Sequence, residues 1–101
     1  MYKPLPDSVT IKASGINGLG LFADQDIKQA TNLGATHFKI DETIIRTPLG
    51  GFINHSNTPN CVKVELRANG QEPFRKKWNL VTAQDIKKGE EITLRYTFYN
   101  V

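Results

Sequence analysis

Apolar and polar residues alternate in several short runs of this 101-residue chain, and nowhere do they recur at sustained helical spacing. Val9, Ile11 and Ala13 alternate with Thr10 and Lys12, the pattern of a half-buried strand. Gly15, Gly18 and Gly20 punctuate the next stretch, and Leu21-Phe22-Ala23 follows as a short apolar piece. Phe38-Lys39-Ile40 and Ile44-Ile45-Arg46 read as two further strands, the second ended by Thr47-Pro48. Val62, Val64 and Leu66 alternate with Lys63, Glu65 and Arg67, and Asn69-Gly70 then supplies a strong hairpin signal. The returning arm carries Phe74, Trp78 and Leu80 at even spacing, hence on one face, and Ile92-Thr93-Leu94-Arg95-Tyr96 closes the series. The pattern predicts one all-β domain, barrel-like or sandwich-like, with few and short helices. It also holds an echo: Gln25-Asp26-Ile27-Lys28 reappears as Gln84-Asp85-Ile86-Lys87, as if one strand-then-turn unit were used twice.

Composition adds little to that picture but closes several routes. The first residues, MYKPLPDSVTIK, contain two prolines, an acid and no apolar core, so they do not read as a signal peptide. No apolar run approaches the roughly 20 residues of a membrane span. Cys61 is the single cysteine, which excludes an internal disulfide and a cysteine-based zinc site. An intracellular protein is expected, cytoplasmic or, for a viral source, in the nucleus of the host. A net charge of +3 is too mild for a nucleic-acid footprint. The single basic run, Arg75-Lys76-Lys77, reads as a solvated loop, so neither a membrane nor a nucleic acid is an expected partner.

The stretch GGFINHSNTPNC, residues 50–61, is where chemistry could reside. Asn54-His55-Ser56 fits a glycosylation acceptor, which matters only in a secreted chain. His55 and Cys61 are too few to hold a metal, because His37 is the only other histidine and lies in no motif. Cys61 beside the strand start Val62-Lys63-Val64 suits a packing role better than a nucleophilic one.

Taken in order, three segments carry a resemblance. They are Asn17-Gly18-Leu19-Gly20-Leu21-Phe22-Ala23, then Phe52-Ile53-Asn54-His55-Ser56 with Pro59-Asn60, then Gly89-Glu90-Glu91-Ile92-Thr93 ending in Tyr96. The series resembles the SET domain, the β-rich family of protein lysine methyltransferases that use S-adenosyl-L-methionine and release S-adenosyl-L-homocysteine. The likeness runs roughly over residues 9–99 and is closest to minimal viral and bacterial members. It implies a β-clip fold with a knot-like C-terminal crossing, and a single domain over residues 1–101 without a preceding SET-associated region or a zinc-binding tail.

The resemblance also implies roles. Backbone groups of Gly18, Leu19 and Gly20 would line the methionine part of the cofactor. Asn54 would hold its polar end, main-chain groups of His55 its adenine edge, and Phe52 and Tyr99 would complete the cofactor site. Tyr96 would stand beside the transferring methyl as the catalytic residue, while Leu94, Phe98 and Tyr99 line the lysine channel. No metal takes part. Methyl transfer from a sulfonium to an amine needs chiefly the positioning of a neutral lysine, and an apolar channel disfavours the ammonium form.

Several features depart from the family pattern: Asn57 stands where a cysteine is frequent, Leu94 where a phenylalanine or tyrosine often influences how many methyls are added, Arg95 where an aspartate is frequent, and residues 24–51 are short for the insert that walls the substrate groove. Phe98 and Tyr99, or a second subunit in a homodimer, are the expected substitutes for a lid. The leading expectation is methylation of a lysine in a protein or peptide. The alternative is a catalytically weak SET-like module that binds cofactor or peptide.

Overall fold

The computed structural model describes residues 5–16, 18–67, 70 and 75–95. In chain order its elements are β1 (Val9–Ala13), β2 (Leu19–Ala23), β3 (Asn32–Ile40), β4 (Thr43–Arg46), α1 (Pro48–Phe52), β5 (Asn54–His55), β6 (Cys61–Arg67), β7 (Lys76–Thr82) and β8 (Glu91–Leu94). They form two four-stranded sheets, ordered β1-β2-β8-β5 and β4-β3-β7-β6. All neighbours are antiparallel except β5 and β8, which run parallel. The all-β expectation holds, and each strand expected from alternation is present. Leu21 and Ile92 of the first sheet, Leu80 of the second, and Ile53 and Ile86 from the connections are almost wholly buried and make one core.

The helical content is a single turn. Thr47 caps it, its hydroxyl accepting from the Gly50 amide at 3.4 Å, and Pro48 follows where its missing N–H costs nothing. Gly50 lies tight against β3. A Cβ there would stand 2.3 Å from the Thr36 carbonyl oxygen and 3.0 Å from the His37 ring. Gly50 therefore serves the packing of α1 on the second sheet and not the approach of a ligand. Gly51 meets nothing within 4 Å.

The repeated Gln-Asp-Ile-Lys segments turn out to be two halves of one arrangement. Ile27 and Ile86 face each other in an antiparallel bridge, each amide donating to the other's carbonyl at 2.7 and 2.8 Å. Asp26 accepts from the Lys88 amide and Asp85 from the Gln29 amide, at 2.9 and 2.8 Å. The Ala30 amide reaches the Thr82 carbonyl, and the Gly89 amide reaches the Ala23 carbonyl, both at 2.8 Å. Every bond has its counterpart 59 positions away, so a local two-fold relates the turns after β2 and after β7. Even the backbone obeys it: Ala30 and Gly89 both take left-handed φ, 66° and 92°.

Two strands differ in detail from expectation. β3 begins at Asn32, well before Phe38, because bulges between Asn32 and Gly34 and between Ala35 and His37 break its alternation. The β6–β7 hairpin forms, with β6 ending at Arg67 and β7 beginning at Lys76. Asn69 and Phe74 lie outside the described residues. The apolar stripe of β6 also faces out. Val62, Val64 and Leu66 are 46, 39 and 41% exposed, while Cys61 is buried inward opposite Thr82. Trp78 and Leu80 take the inner face of β7, which places Glu65 and Lys63 opposite them.

His37 is buried, bonded through Nδ1 to the Thr36 hydroxyl at 3.0 Å, and set edge-on to Trp78. Burial, aided by Lys63 and Arg46, lowers its pKa from 6.5 to about 4. The unfolded chain thus binds the proton more readily, so the stabilisation is complete above pH 6.5 and is lost as pH falls toward 4. The total is on the order of 3 kcal/mol. Thermal midpoints recorded between pH 6.5 and 5 should fall in the wild type and stay nearly flat in His37→Leu.

Candidate functional site

The three sequence segments converge on the first sheet. β2 begins with Leu19-Gly20 and pairs with β8 through Leu21–Ile92 and Phe22–Glu91. On its other edge β8 pairs in parallel with β5, setting Asn54 beside Thr93 and His55 beside Leu94. The Ser56 amide extends that ladder to the Leu94 carbonyl at 3.1 Å. A two-residue strand needs help to hold its place, and Asn60 supplies it. Its Nδ2 donates to the Glu91 carbonyl at 2.8 Å and its Oδ1 accepts from the Thr93 amide at 2.9 Å. The side chain thus pairs with β8 as a strand residue would, and Pro59-Asn60 anchors the loop that carries Asn54 and His55.

Asn54 is buried, and its Nδ2 donates to the Leu19 carbonyl at 3.2 Å and to Glu91 Oε2 at 2.8 Å. Glu91 also takes the Ser14 hydroxyl, 2.8 Å from Oε1 and 2.9 Å from Oε2. Gly20 closes this cluster, since a Cβ at that position would stand 2.3 Å from Glu91 Oε2 and 2.8 Å from Asn54 Nδ2. Gly18, Leu19 and Gly20 bring main-chain groups to the same place, and the Ser14 amide bonds the Gly18 carbonyl at 2.8 Å. The result is a half-exposed cradle of backbone carbonyls, one oriented amide and one carboxylate. Its acceptor-rich surface suits a cationic, ammonium-like group, while the missing side chain at Gly20 lets Glu91 and Asn54 meet.

His55 is exposed, and its Nε2 lies 3.2 Å from Asn57 Oδ1. Asn57 is also tied to Arg95, whose guanidinium donates to the Asn57 carbonyl at 2.7 Å. The two departures from the family pattern at these positions therefore contact one another. Phe52 ends α1 and is 37% exposed.

Leu94 is buried and lines a cleft of about 410 Å³ with Pro59, Cys61, Val62, Lys63 and Arg95. Burial pushes the Cys61 thiol up to about 12, which suits a packing residue and not a thiolate. Burial also lowers the Lys63 ammonium pKa. Tyr96, Phe98, Tyr99 and Asn17 lie outside the described residues.

Glu91 and Ser14 are the site residues that sequence reasoning missed, together with the clamp made by Asn60. Glu91 stands in Gly89-Glu90-Glu91, where an acid after a turn reads as solvated surface. Only its phase in β8, one residue before buried Ile92 and opposite Phe22, separates it from exposed Glu90.

The sequence profile of the SET domain matches residues 34–97. Histone-lysine N-methyltransferase ASHH2 of Arabidopsis thaliana is 40% identical over 53 residues, which is 52% of this chain and 3% of that protein. An H3 lysine-4 specific histone-lysine N-methyltransferase of Schizosaccharomyces pombe is 36% identical over 66 residues, 60% of this chain and 7% of that protein. The chain thus spans a small fraction of the length of these relatives. A candidate histone methyltransferase of Plasmodium falciparum, known from its crystal structure, has a TM-score of 0.74 at 19% identity and covers 92% of this chain and 96% of its own. That likeness concerns the fold.

Proposed function

The chain belongs to the SET domain family, and from that premise we propose that it transfers a methyl group from S-adenosyl-L-methionine to a lysine side chain of a protein. The observation that carries the proposal is the joint enclosure of one cradle by Gly20, Asn54 and Glu91, at the point where β2, β5 and β8 meet. When bound, the cofactor supplies an electrophilic methyl on a sulfonium that leaves as a neutral thioether.

The protein's own part is binding, orientation and exclusion of water. Backbone groups of Gly18, Leu19 and Gly20 line the methionine part of the cofactor, and Asn54 helps to hold its polar end. Main-chain groups of His55 meet the adenine edge, with Phe52 and Tyr99 as flanking apolar surface. The cleft beside Leu94 receives the lysine stem, with Phe98 and Tyr99 as its lid, and its apolar wall favours the neutral amine. The Tyr96 hydroxyl orients that amine for in-line attack, and positioning of this kind can lower a barrier by about 7–11 kcal/mol.

The test is incubation with S-adenosyl-L-methionine labelled in its methyl group and a mixed protein substrate, followed by mass spectrometry of labelled peptides. Label on lysine is the expected result. Saturable donor binding in calorimetry without any incorporated label would instead identify a binding module.

A homodimer is the second part of the proposal, with the apolar stripe of β6 as its surface. The strand reads Val62-Lys63-Val64-Glu65-Leu66. An antiparallel copy turned about Val64 sets Val62 opposite Leu66 of the partner subunit and Lys63 opposite Glu65 of the partner subunit. Sedimentation should show a concentration-dependent dimer for the wild type and a monomer for Val64→Glu. A wild type that stays monomeric at high concentration would rule the dimer out.

A further inference from the structure

The basic run Arg75-Lys76-Lys77, read from the sequence as a solvated loop, instead leads into β7, and the registers of the second sheet show what it joins. Paired residues on neighbouring strands point to the same side. Lys39 of β3, Lys76 of β7 and Arg67 of β6 therefore stand in one row across three strands. The next row holds Arg46, His37, Trp78 and Glu65, and Lys63 lies two residues farther along β6. His37 agrees with this, because both Lys63 and Arg46 help to hold its pKa down. Among the described residues, the strand positions of this face carry five cations against one carboxylate, more positive charge than the +3 of the whole chain.

Glu65 is that carboxylate, and Arg67 and Lys76 share it at 3.8 and 3.9 Å. Exposed pairs of this kind hold little energy, while like charges directly opposite one another on a sheet are unfavourable. Asp41 and Glu42 fall in the turn between β3 and β4, outside the strands. One end of the face continues into the cleft beside Leu94. Lys63 and Arg95 both line that cleft, and no acid stands with them among the described residues. A lysine stem entering it thus arrives beside two cations. They disfavour its ammonium form, and they repel any further cation carried next to it.

We propose that this cationic face selects the substrate by docking an acidic segment of the protein that carries the target lysine. This rests on the reading of the cleft as the lysine channel given above. From Lys63 to Arg67 the face runs along β6 for about 13 Å, a length that an extended peptide crosses in about four residues. Side chains of such a peptide alternate, so acids at every second position fall on successive rows of the face. The acids therefore lie within about four residues of the lysine. Glu65 argues against a nucleic acid as the occupant. Its carboxylate in the middle of the face repels a continuous phosphate backbone, whereas a peptide can set an uncharged residue there.

Three peptides with one lysine each, flanked by glutamates, glutamines or arginines, test this on the full chain. Binding is read by fluorescence anisotropy and reaction by transfer of labelled methyl. Each exposed charge pair is worth about two- to fivefold. The glutamate peptide should therefore bind and react about tenfold better than the glutamine one, with the arginine peptide last. Added salt should narrow these differences. Lys39→Glu combined with Arg46→Glu lies outside the cradle and the cleft, and it should abolish the advantage of the glutamate peptide over the glutamine one. If that variant does not fold, the order of the peptides and its salt dependence in the wild type still decide. Equal affinities for the three peptides, or tightest binding of the arginine peptide, would overturn the proposal while leaving methyl transfer intact. A single-stranded DNA oligonucleotide that binds more tightly than the glutamate peptide and displaces it would also overturn it, in favour of a nucleic-acid surface. The expected order in binding without transfer to any peptide would support the acidic docking face and overturn the methyl-transfer reading alone.

Discussion

Gly20→Ala is expected to yield a folded protein whose affinity for S-adenosyl-L-methionine is ten- to a hundredfold weaker. The added methyl would stand 2.3 Å from Glu91 Oε2 and 2.8 Å from Asn54 Nδ2, closer than real Cβ contacts come. Both obstacles are ends of side chains and not backbone, so the fold can yield by moving them, at a cost of about 1–3 kcal/mol. Movement, however, breaks the bond between the amide and the carboxylate, and with it the orientation of Asn54. Losing one hydrogen bond to a charged group is worth about 1.5–3 kcal/mol, which sets the expected loss of affinity. Gly51→Ala is the control, because that position meets nothing within 4 Å, and alanine favours a helix. It should bind as the wild type does and melt at or slightly above its temperature. Calorimetry and thermal unfolding on the two variants separate the site from the fold. Equal affinity in Gly20→Ala and wild type would mean that the cradle is not where the donor sits.

Strand positions were readable because alternation is a local property of the chain, but facing is not. β6 shows the difference. Its apolar set, Val62, Val64 and Leu66, is as regular as any in the sequence, yet it lies on the solvent face. The register with β7 decides this: Leu80 and Trp78 fill the inner face, and their partners across the ladder are Lys63 and Glu65. No pattern within β6 alone carries that information. β3 was half hidden for another reason, since two bulges shift the phase of its side chains and erase the period that would reveal it.

The site was legible as separate pieces whose meeting needed the fold. Gly18-Leu19-Gly20, Asn54-His55 and the β8 segment are distant in sequence, and the parallel pairing of β5 with β8 brings the last two together. Histidine and cysteine drew attention in residues 50–61, but His55 is exposed and Cys61 is buried with its thiol held protonated. The side chains that shape the cradle are Asn54, Glu91 and Ser14, two of which look like ordinary surface residues in the sequence. Arg95 and Asn57 teach the same lesson, for two isolated departures from a family pattern prove to be one contact.

Tyr96→Phe should then reduce methyl transfer by about a hundred- to a thousandfold, the usual consequence of removing one oriented donor at a reacting centre. Donor affinity should change by no more than a few-fold, because the cradle of Gly20, Asn54 and Glu91 is upstream of this residue and keeps its bonds. β8 ends at Leu94, and Leu94 lines the cleft proposed for the lysine stem. A substrate lysine has an ordinary pKa near 10.4, so at neutral pH only a small fraction is neutral and able to attack. Wild-type rates should therefore climb with pH, and the variant should follow the same climb from a lower level if the hydroxyl orients the amine. If the hydroxyl instead removed the proton, the variant would regain activity at high pH, where the solution performs that step. Single-turnover rates with labelled donor, measured across pH 7 to 10 for both proteins, distinguish the two roles. Full activity in Tyr96→Phe on a verified substrate would take the catalytic assignment away from this residue.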